Sequence, residues 1–336
     1  MQDSTPTARA GLTRLRTWLD PLVLMVVGAL LLGLVAPARG GLATAVDRST
    51  TAAVVLLFFL YGARLATSQV RAGMRNWRLQ GSILVATFVV FPLLGLLVQL
   101  VPDAILAPPL QTGVLYLTLL PSTVQSSVVF TSIAGGNVAG AVTGATVSNV
   151  TGIVLTPALV ALLMGGQGAV GAGGVTAALG QLLVPFVLGQ CVQRWLGGWL
   201  RARPWLTRIT DRGTIVLVAY AAVSEATVSG AWDGVTAGTI AALVGVSAVI
   251  LALLLALTWR AGGWWRLDRA DRIALLMCGS KKSLATGLPM AAVLLPAATA
   301  AMVTLPVLVF HQFQLAVCAV LARRLAATAP APPVPR

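Results

Sequence analysis

The chain has 336 residues, of which 57% are hydrophobic and 10% charged, with a net charge of +14 and a mean hydropathy of +0.90. So little polar surface does not clothe a water-soluble globule, and the bilayer is the solvent this composition demands. Nor does the positive charge indicate nucleic acid, because the arginines lie between apolar segments and not beside exposed aromatics on one face.

The first apolar run, Leu22 to Ala36, follows Arg9, Arg14 and Arg16 and ends in Ala36-Pro37-Ala38. That ending also fits a secretory cleavage site, but a retained first helix is expected because the repeat described below requires it. Runs of roughly 20 apolar residues, the length needed to cross a hydrocarbon core, continue along the chain. The expected segments are 20–37, 50–68, 79–101, 110–135, 137–164, 175–194, 211–230, 234–257, 269–294 and 297–322, ten in all. A cytoplasmic N-terminus puts 18 of the 23 basic residues inside, among them Arg71, Arg75, Arg78, Arg194, Arg201, Arg203, Arg208, Arg212, Arg260, Arg266, Arg269 and Arg272. Arg39 and Arg48 fall outside, and Arg64, Lys281 and Lys282 fall within apolar segments. One missed helix would invert every later loop, so the bias predicts a multi-pass protein of the bacterial inner (plasma) membrane with both termini cytoplasmic.

Sliding the chain against itself by 155 positions aligns Leu120 with Leu275, Ser126-Ser127 with Lys281-Lys282, and Thr131 with Thr286. Each copy falls in the fourth helix of a five-helix half, and an odd number of crossings turns the second half upside down, as in many secondary transporters. The expected organisation is therefore all-α, with one half over 1–164, an inverted half over 165–325, and a disordered Pro/Ala tail over 326–336. Both copies are interrupted, at Pro121-Ser122-Thr123-Val124-Gln125-Ser126-Ser127 and at Cys278-Gly279-Ser280-Lys281-Lys282-Ser283 with Pro289 following. Backbone released from helix in hydrocarbon persists where protein, water or a ligand satisfies it, so the two breaks mark the expected site. A simple kink is the plainer reading of Pro121, and it is the one adopted for Pro92, Pro157, Pro185 and Pro306. The stripe Gly136, Gly140, Gly144, Ser148, Gly152 lets a neighbouring backbone approach and is read as packing. Cys191, Cys278 and Cys318 lack metal or CxxC spacing and are also read as packing residues, with no metal site expected.

The runs LPSTVQSSVVFTSIAGGNVAGAVTGATVSN (Leu120 to Asn149) and CGSKKSLATGLP (Cys278 to Pro289) resemble the bile acid:sodium symporter family. They look closest to its divergent branch, which contains the vertebrate seventh member and its bacterial relatives. The resemblance implies ten helices, with helices 4 and 9 unwound and crossing, a panel of helices 1, 2, 6 and 7, and a core of helices 3–5 and 8–10. It also implies alternating access for organic anions. Better-known members hold sodium with a Ser-Asn pair and nearby hydroxyls in helices four and five, plus a Glu and a Gln in helix nine. Here the pair reads Ser126-Ser127, the Glu position falls near Met277, and Lys281-Lys282 stand where a Gln-Asn would. A hard cation needs oxygen ligands and usually negative charge, so at least one sodium site is expected to be lost. Sodium coupling is thereby in doubt, and no other cofactor is expected.

An intramembrane lysine is a functional hypothesis by default. Lys281 or Lys282 either binds an anionic group of the solute or stands where sodium stands in relatives, where an ammonium could also carry a coupling proton. The plainer reading is snorkelling or structural pairing. Glu225 and His311 are possible proton or charge partners, against plain roles as a hydrogen-bonded interfacial residue and a packing histidine. Gln125, Ser126, Ser127, Thr131, Ser280 and Ser283 offer neutral oxygens for a solute or ion. No serine-protease, HExxH or paired-aspartate pattern supports an enzyme. The sequence predicts a carrier for a small organic, anionic solute; the alternative is a non-transporting regulator or sensor that keeps the transporter fold.

Overall fold

The structure is a computed structural model that describes residues 21–65, 75–165, 172–230 and 236–328, and these residues are helical with no strand. In chain order the helices are α1 (Pro21–Val35), α2 (Gly41–Arg64), α3 (Trp77–Val98), α4 (Pro108–Leu119), α5 (Gln125–Ile133) and α6 (Val138–Met164). They continue with α7 (Ala172–Arg201), α8 (Pro204–Val228), α9 (Ala237–Trp264), α10 (Arg269–Gly279), α11 (Leu284–Leu294) and α12 (Ala297–Ala327). Among the described residues, α2, α3, α6, α9 and α12 are each long and apolar enough to span a bilayer, so the chain is a multi-pass membrane protein. Arg9, Arg14, Arg16, Arg71 and the tail from residue 329 lie outside the described residues.

Several boundaries differ from those expected. Helix α2 begins at Gly41 and not near 50, because helix-forming Ala and Leu carry the polar stretch with Asp47 and Arg48 into the same helix. The fourth and ninth runs are each divided, into α4 and α5 and into α10 and α11. Gln125, Ser126 and Ser127 are helical, so the first break is confined to residues 120–124, and α10 continues through Gly279. The offset of 155 does not superpose the breaks. Helices α4 and α10 end at 119 and 279, and α5 and α11 begin at 125 and 284, which are offsets of 160 and 159.

Small residues set the closest helix contacts. At Gly62 of α2 an added Cβ would overlap the Phe186 carbonyl oxygen of α7, and at Gly189 of α7 it would overlap the Phe59 carbonyl oxygen of α2. The two backbones therefore touch, and Gln190 Nε2 bonds the Gly62 oxygen at 2.5 Å and the Leu65 oxygen at 3.2 Å. Helix α1 packs in turn on α8, where Gly33 faces Val223. In α6 the glycine stripe does the packing expected of it. A Cβ at Gly140 would lie 2.7 Å from Leu79 of α3, and one at Gly152 would lie 2.8 Å from Pro121. Helix α6 thus seats both α3 and the first break. Of the cysteines, Cys278 and Cys318 are buried as expected of packing residues, whereas Cys191 is exposed on α7.

Three helix N-termini meet at one carboxylate. Asn76 and Asn137 cap α3 and α6 by accepting from Leu79 N and Gly140 N, and their amide groups donate to Asp271 in the first turn of α10, at 2.6 and 2.7 Å. A negative group suits the positive ends of these helices and fixes α3, α6 and α10 as starting on the same face. At that face Arg269 donates to the Leu325 oxygen at the end of α12 (2.6 Å), and Arg272 lies over the Trp259 ring at 4.2 Å.

The α2–α7 contact gives a direct test. Gly189→Val is expected to destabilise the detergent-purified protein by about 2 kcal/mol through overpacking, whereas Gly198→Ala, which meets open space, leaves its unfolding unchanged within about 0.5 kcal/mol. SDS-induced unfolding followed by tryptophan fluorescence compares the two.

Candidate functional site at the crossing of two broken helices

A proline cannot donate to the ladder, and Pro121 ends α4 with its last carbonyls unpaired by helix. Side chains and the second break take them up one by one. The Leu119 oxygen accepts from Thr156 Oγ1 at 2.8 Å, the Pro121 oxygen from Ser283 N at 2.9 Å, and the Ser122 oxygen from Asn149 Nδ2 at 2.6 Å. The Ser122 amide donates to Ser148 Oγ at 3.0 Å, the one hydroxyl in the α6 stripe. The remaining two, the oxygens of Thr118 and Leu120, receive the ammonium of Lys282 at 2.7 and 2.5 Å.

The second break is satisfied in the same manner. Ser122 Oγ donates to the Cys278 oxygen at 2.6 Å and Ser127 Oγ to the Met277 oxygen at 2.9 Å, so hydroxyls of the first break close the end of α10. Ser280 Oγ donates back to the Leu276 oxygen at 2.6 Å. Ser283 caps α11 by accepting from Thr286 N at 3.2 Å. Gln314 of α12 pairs with Lys282 as a strand neighbour would, accepting from its amide and donating to its carbonyl, both at 2.9 Å. Tyr116 of α4 donates to the Gly287 oxygen of α11 at 2.7 Å.

Lys282 is 1% exposed and reaches a third carbonyl, that of Thr87 in α3, at 2.8 Å. The sequence explains why that oxygen is available. Residues Ala86–Val90 form a π-helical turn, in which the Phe91 amide bonds the Ala86 oxygen five residues back. The same register assigns the Thr87 oxygen to the amide of residue 92, which is proline and has no hydrogen to give. Pro92 was expected to be a simple kink; instead it frees the acceptor that the lysine uses. The ring of Phe91 lies 4.1 Å from the ammonium, within cation–π range. Each of the three N–H donors of Lys282 therefore has a carbonyl, and the charge sits at the negative end of α4.

Lys281 is 0% exposed and differently placed. Its ammonium makes one hydrogen bond among the described residues, to the Ser126 oxygen at 3.1 Å, and lies 4.1 Å from the Phe130 ring. Neither lysine snorkels. They are the two lysines of the chain, whose other 21 cationic side chains are arginines.

A family model for SBF-like CPA transporters matches residues 20–327. The chain belongs to that family. It is 45% identical over 311 residues to the putative symporter YfeH of Escherichia coli (strain K12), covering 91% of this chain and 92% of that protein. It is 43% identical over 311 residues to an uncharacterized protein of Pseudomonas aeruginosa, covering 91% and 93%. Sodium/bile acid cotransporter 7 of Rattus norvegicus is 26% identical over 276 residues, 80% of each chain. The resemblance to the bile acid:sodium symporters and their seventh vertebrate member is thereby established, and the chain is a member of a transporter family.

In this family member the structure brings Ser126, Ser127, Ser280, Lys281, Lys282 and Ser283 together at the crossing. Thr131 is buried nearly two turns along α5, its hydroxyl without a hydrogen-bond partner among the described residues, and Gln125 is exposed at the start of α5. His311 joins the site indirectly, its Nδ1 lying 2.9 Å from Gln314 Nε2. Glu225 is exposed on α8 and is not brought to either lysine. Arg64 ends α2 and is exposed. The residues that sequence reasoning missed are Gln314, Asn149, Thr87, Phe91 and Phe130. Gln314 carried a usable signal, being a buried amide in an apolar helix three residues after His311. Among the described residues no carboxylate is bonded to the ammonium that fills the point where the three carbonyls converge, so that point does not fit a sodium ion as well.

The lysine and the proline are coupled through one oxygen. Lys282→Met is expected to destabilise by about 3 kcal/mol, since it leaves three buried carbonyls unpaired. In a Pro92→Ala background, whose new amide can serve Thr87, the same change is expected to cost about 1 kcal/mol less. Equal costs in the two backgrounds, measured as a double-mutant cycle of unfolding, would mean that Thr87 is not shared.

Proposed function

We propose that the chain is a secondary transporter that carries a small organic anion across the bacterial inner membrane by alternating access, with sodium or a proton as the coupling ion. In this reading it crosses ten times as two inverted halves, 1–164 and 165–325, with both termini cytoplasmic. Helices α1, α2, α7 and α8 form a panel past which the remaining helices rock as a core. The close pairing of α2 with α7 and of α1 with α8 supports that division, as does the common face on which α3, α6 and α10 begin. The name of the rat relative, sodium/bile acid cotransporter 7, supports both a co-transported ion and an organic anion.

The observation that carries the reading is Lys281, a buried cation at the crossing whose ammonium has one hydrogen bond among the described residues, to the Ser126 oxygen, and otherwise the face of Phe130. Burying an ammonium in hydrocarbon is costly unless it is paired, and an anionic solute would complete the pairing. The half-buried Ser126 supplies its one acceptor, and the neighbouring Gln125 is exposed. Lys282, with its three donors already used, is the lesser candidate for contact with solute.

Proteoliposome uptake tests the proposal, with a set of radiolabelled organic anions that includes taurocholate, under imposed sodium and proton gradients. Saturable uptake of at least one anion is expected, driven by one of the two gradients. Lys281→Gln is expected to lower it by about tenfold or more, with little effect on unfolding, since a charge-assisted hydrogen bond is worth on the order of 2 kcal/mol. Absence of uptake by folded native protein for every anion would favour the regulator, and conductance far above carrier rates would indicate a channel.

A further inference from the structure

Buried carbonyl oxygens need a donor or a cation, and three of them converge on one point. Here they come from two elements: Thr118 and Leu120 at the broken end of α4, and Thr87 in the π-helical turn of α3. Carbonyls that replace a hydration shell suit monovalent cations, whereas sites for divalent ions usually add carboxylates. The faces of Phe91 and, at 5.9 Å, Phe88 close the remaining side with a surface that attracts soft cations. Seen from its walls, this is a cage for a dehydrated +1 ion with up to three hydrogens to donate.

We infer that the carbonyls of Thr87, Thr118 and Leu120 with the Phe91 ring form a monovalent-cation site that the chain fills with its own Lys282 ammonium, and that a free monovalent cation enters when that ammonium is removed. The lysine is thus a tethered ion, present at unit occupancy whatever the salt. The three oxygens are presented to the site by features that do not depend on the lysine: Pro92 withholds an amide from Thr87, and Pro121 ends α4. Trimming the side chain therefore leaves an acceptor set aimed at a space of aminoalkyl shape. Primary ammonium ions, which match three acceptors with three donors, are the preferred guests; sodium and potassium rank below them, and bulky cations are excluded. The site concerns how the crossing is held and does not depend on which solute is carried.

The test is thermal unfolding of the detergent-purified full chain, native and Lys282→Ala, in propylammonium, sodium, potassium or N-methylglucamine chloride at equal ionic strength. Lys282→Ala is expected to melt below the native protein. Propylammonium is expected to raise its melting temperature saturably, by about 5 °C or more, with smaller shifts for sodium and potassium and none for N-methylglucamine. The native protein should respond equally little to all four. A variant indifferent to every cation, or one that responds to N-methylglucamine as it does to propylammonium, overturns the inference. Lys282→Met, which fills the same space with an uncharged stem, should also melt low but gain nothing from propylammonium; rescue equal to that of the alanine variant overturns the inference too. If Lys282→Ala does not survive extraction, recovery of a monodisperse peak in propylammonium and not in N-methylglucamine supports the site, and equal loss in both contradicts it.

Discussion

Inside a bilayer no water is at hand to pair a loose amide or carbonyl, so a helix breaks there only where protein supplies partners. This molecule breaks two helices and lets each break serve the other. Ser122 and Ser127 close the end of α10, Ser283 N meets the Pro121 oxygen, and Lys282 reaches across to the end of α4. The third broken ladder, the π-helical turn in α3, is drawn into the same arrangement by the proline that follows it. Much of the remaining architecture supports this junction: the α6 stripe seats Pro121, Asn149 and Ser148 attend the first break, and Gln314 attends the second.

The choice of lysine follows from the same constraint. An ammonium is a compact charge with three donors that can diverge toward three separate carbonyls, while a guanidinium presents a flat fork suited to carboxylates. Arginine serves elsewhere, as where Arg269 donates to the Leu325 oxygen at the end of α12 and Arg272 stacks on Trp259. The adjacent lysines then divide the work by their surroundings. One is fully engaged by backbone and aromatic faces, and the other has one backbone acceptor and donors to spare. Helical geometry would have turned them about 100° apart on one rod, but because both lie in unwound chain their directions are set by the crossing.

Much of the fold was legible because hydrophobic runs and breaks are properties of consecutive residues. Pro121 and the Gly-Ser-Lys-Lys-Ser stretch announced both interruptions, and the glycine stripe of α6 announced close packing. Two things were not legible. The offset of 155 was drawn from matching letters such as Leu120 with Leu275, whereas the helix ends lie 159 or 160 apart, since structure constrains the positions of the breaks and not the letters around them. The role of Pro92 was hidden because proline in a membrane helix is common, and its consequence appears far along the chain, in the bond from Lys282 to Thr87, whose partners are 195 positions apart. Phe130 was hidden for a related reason: it acts on Lys281 through space, with no local pattern to mark it, whereas Gln314 stood out as an amide in an apolar run.

The most direct measurement is rotational-echo dipolar recoupling on membranes containing protein with isotope-labelled lysine ammonium nitrogens and labelled threonine carbonyl carbons. With two lysines in the chain the spectrum holds two side-chain signals, assigned by Lys281→Gln. The Lys282 nitrogen should be strongly dephased by threonine carbonyls, because Thr87 and Thr118 both hold it, and a serine carbonyl label should dephase Lys281 through Ser126. A Lys282 signal untouched by the threonine label would place its ammonium elsewhere and contradict the mutual closure of the two breaks.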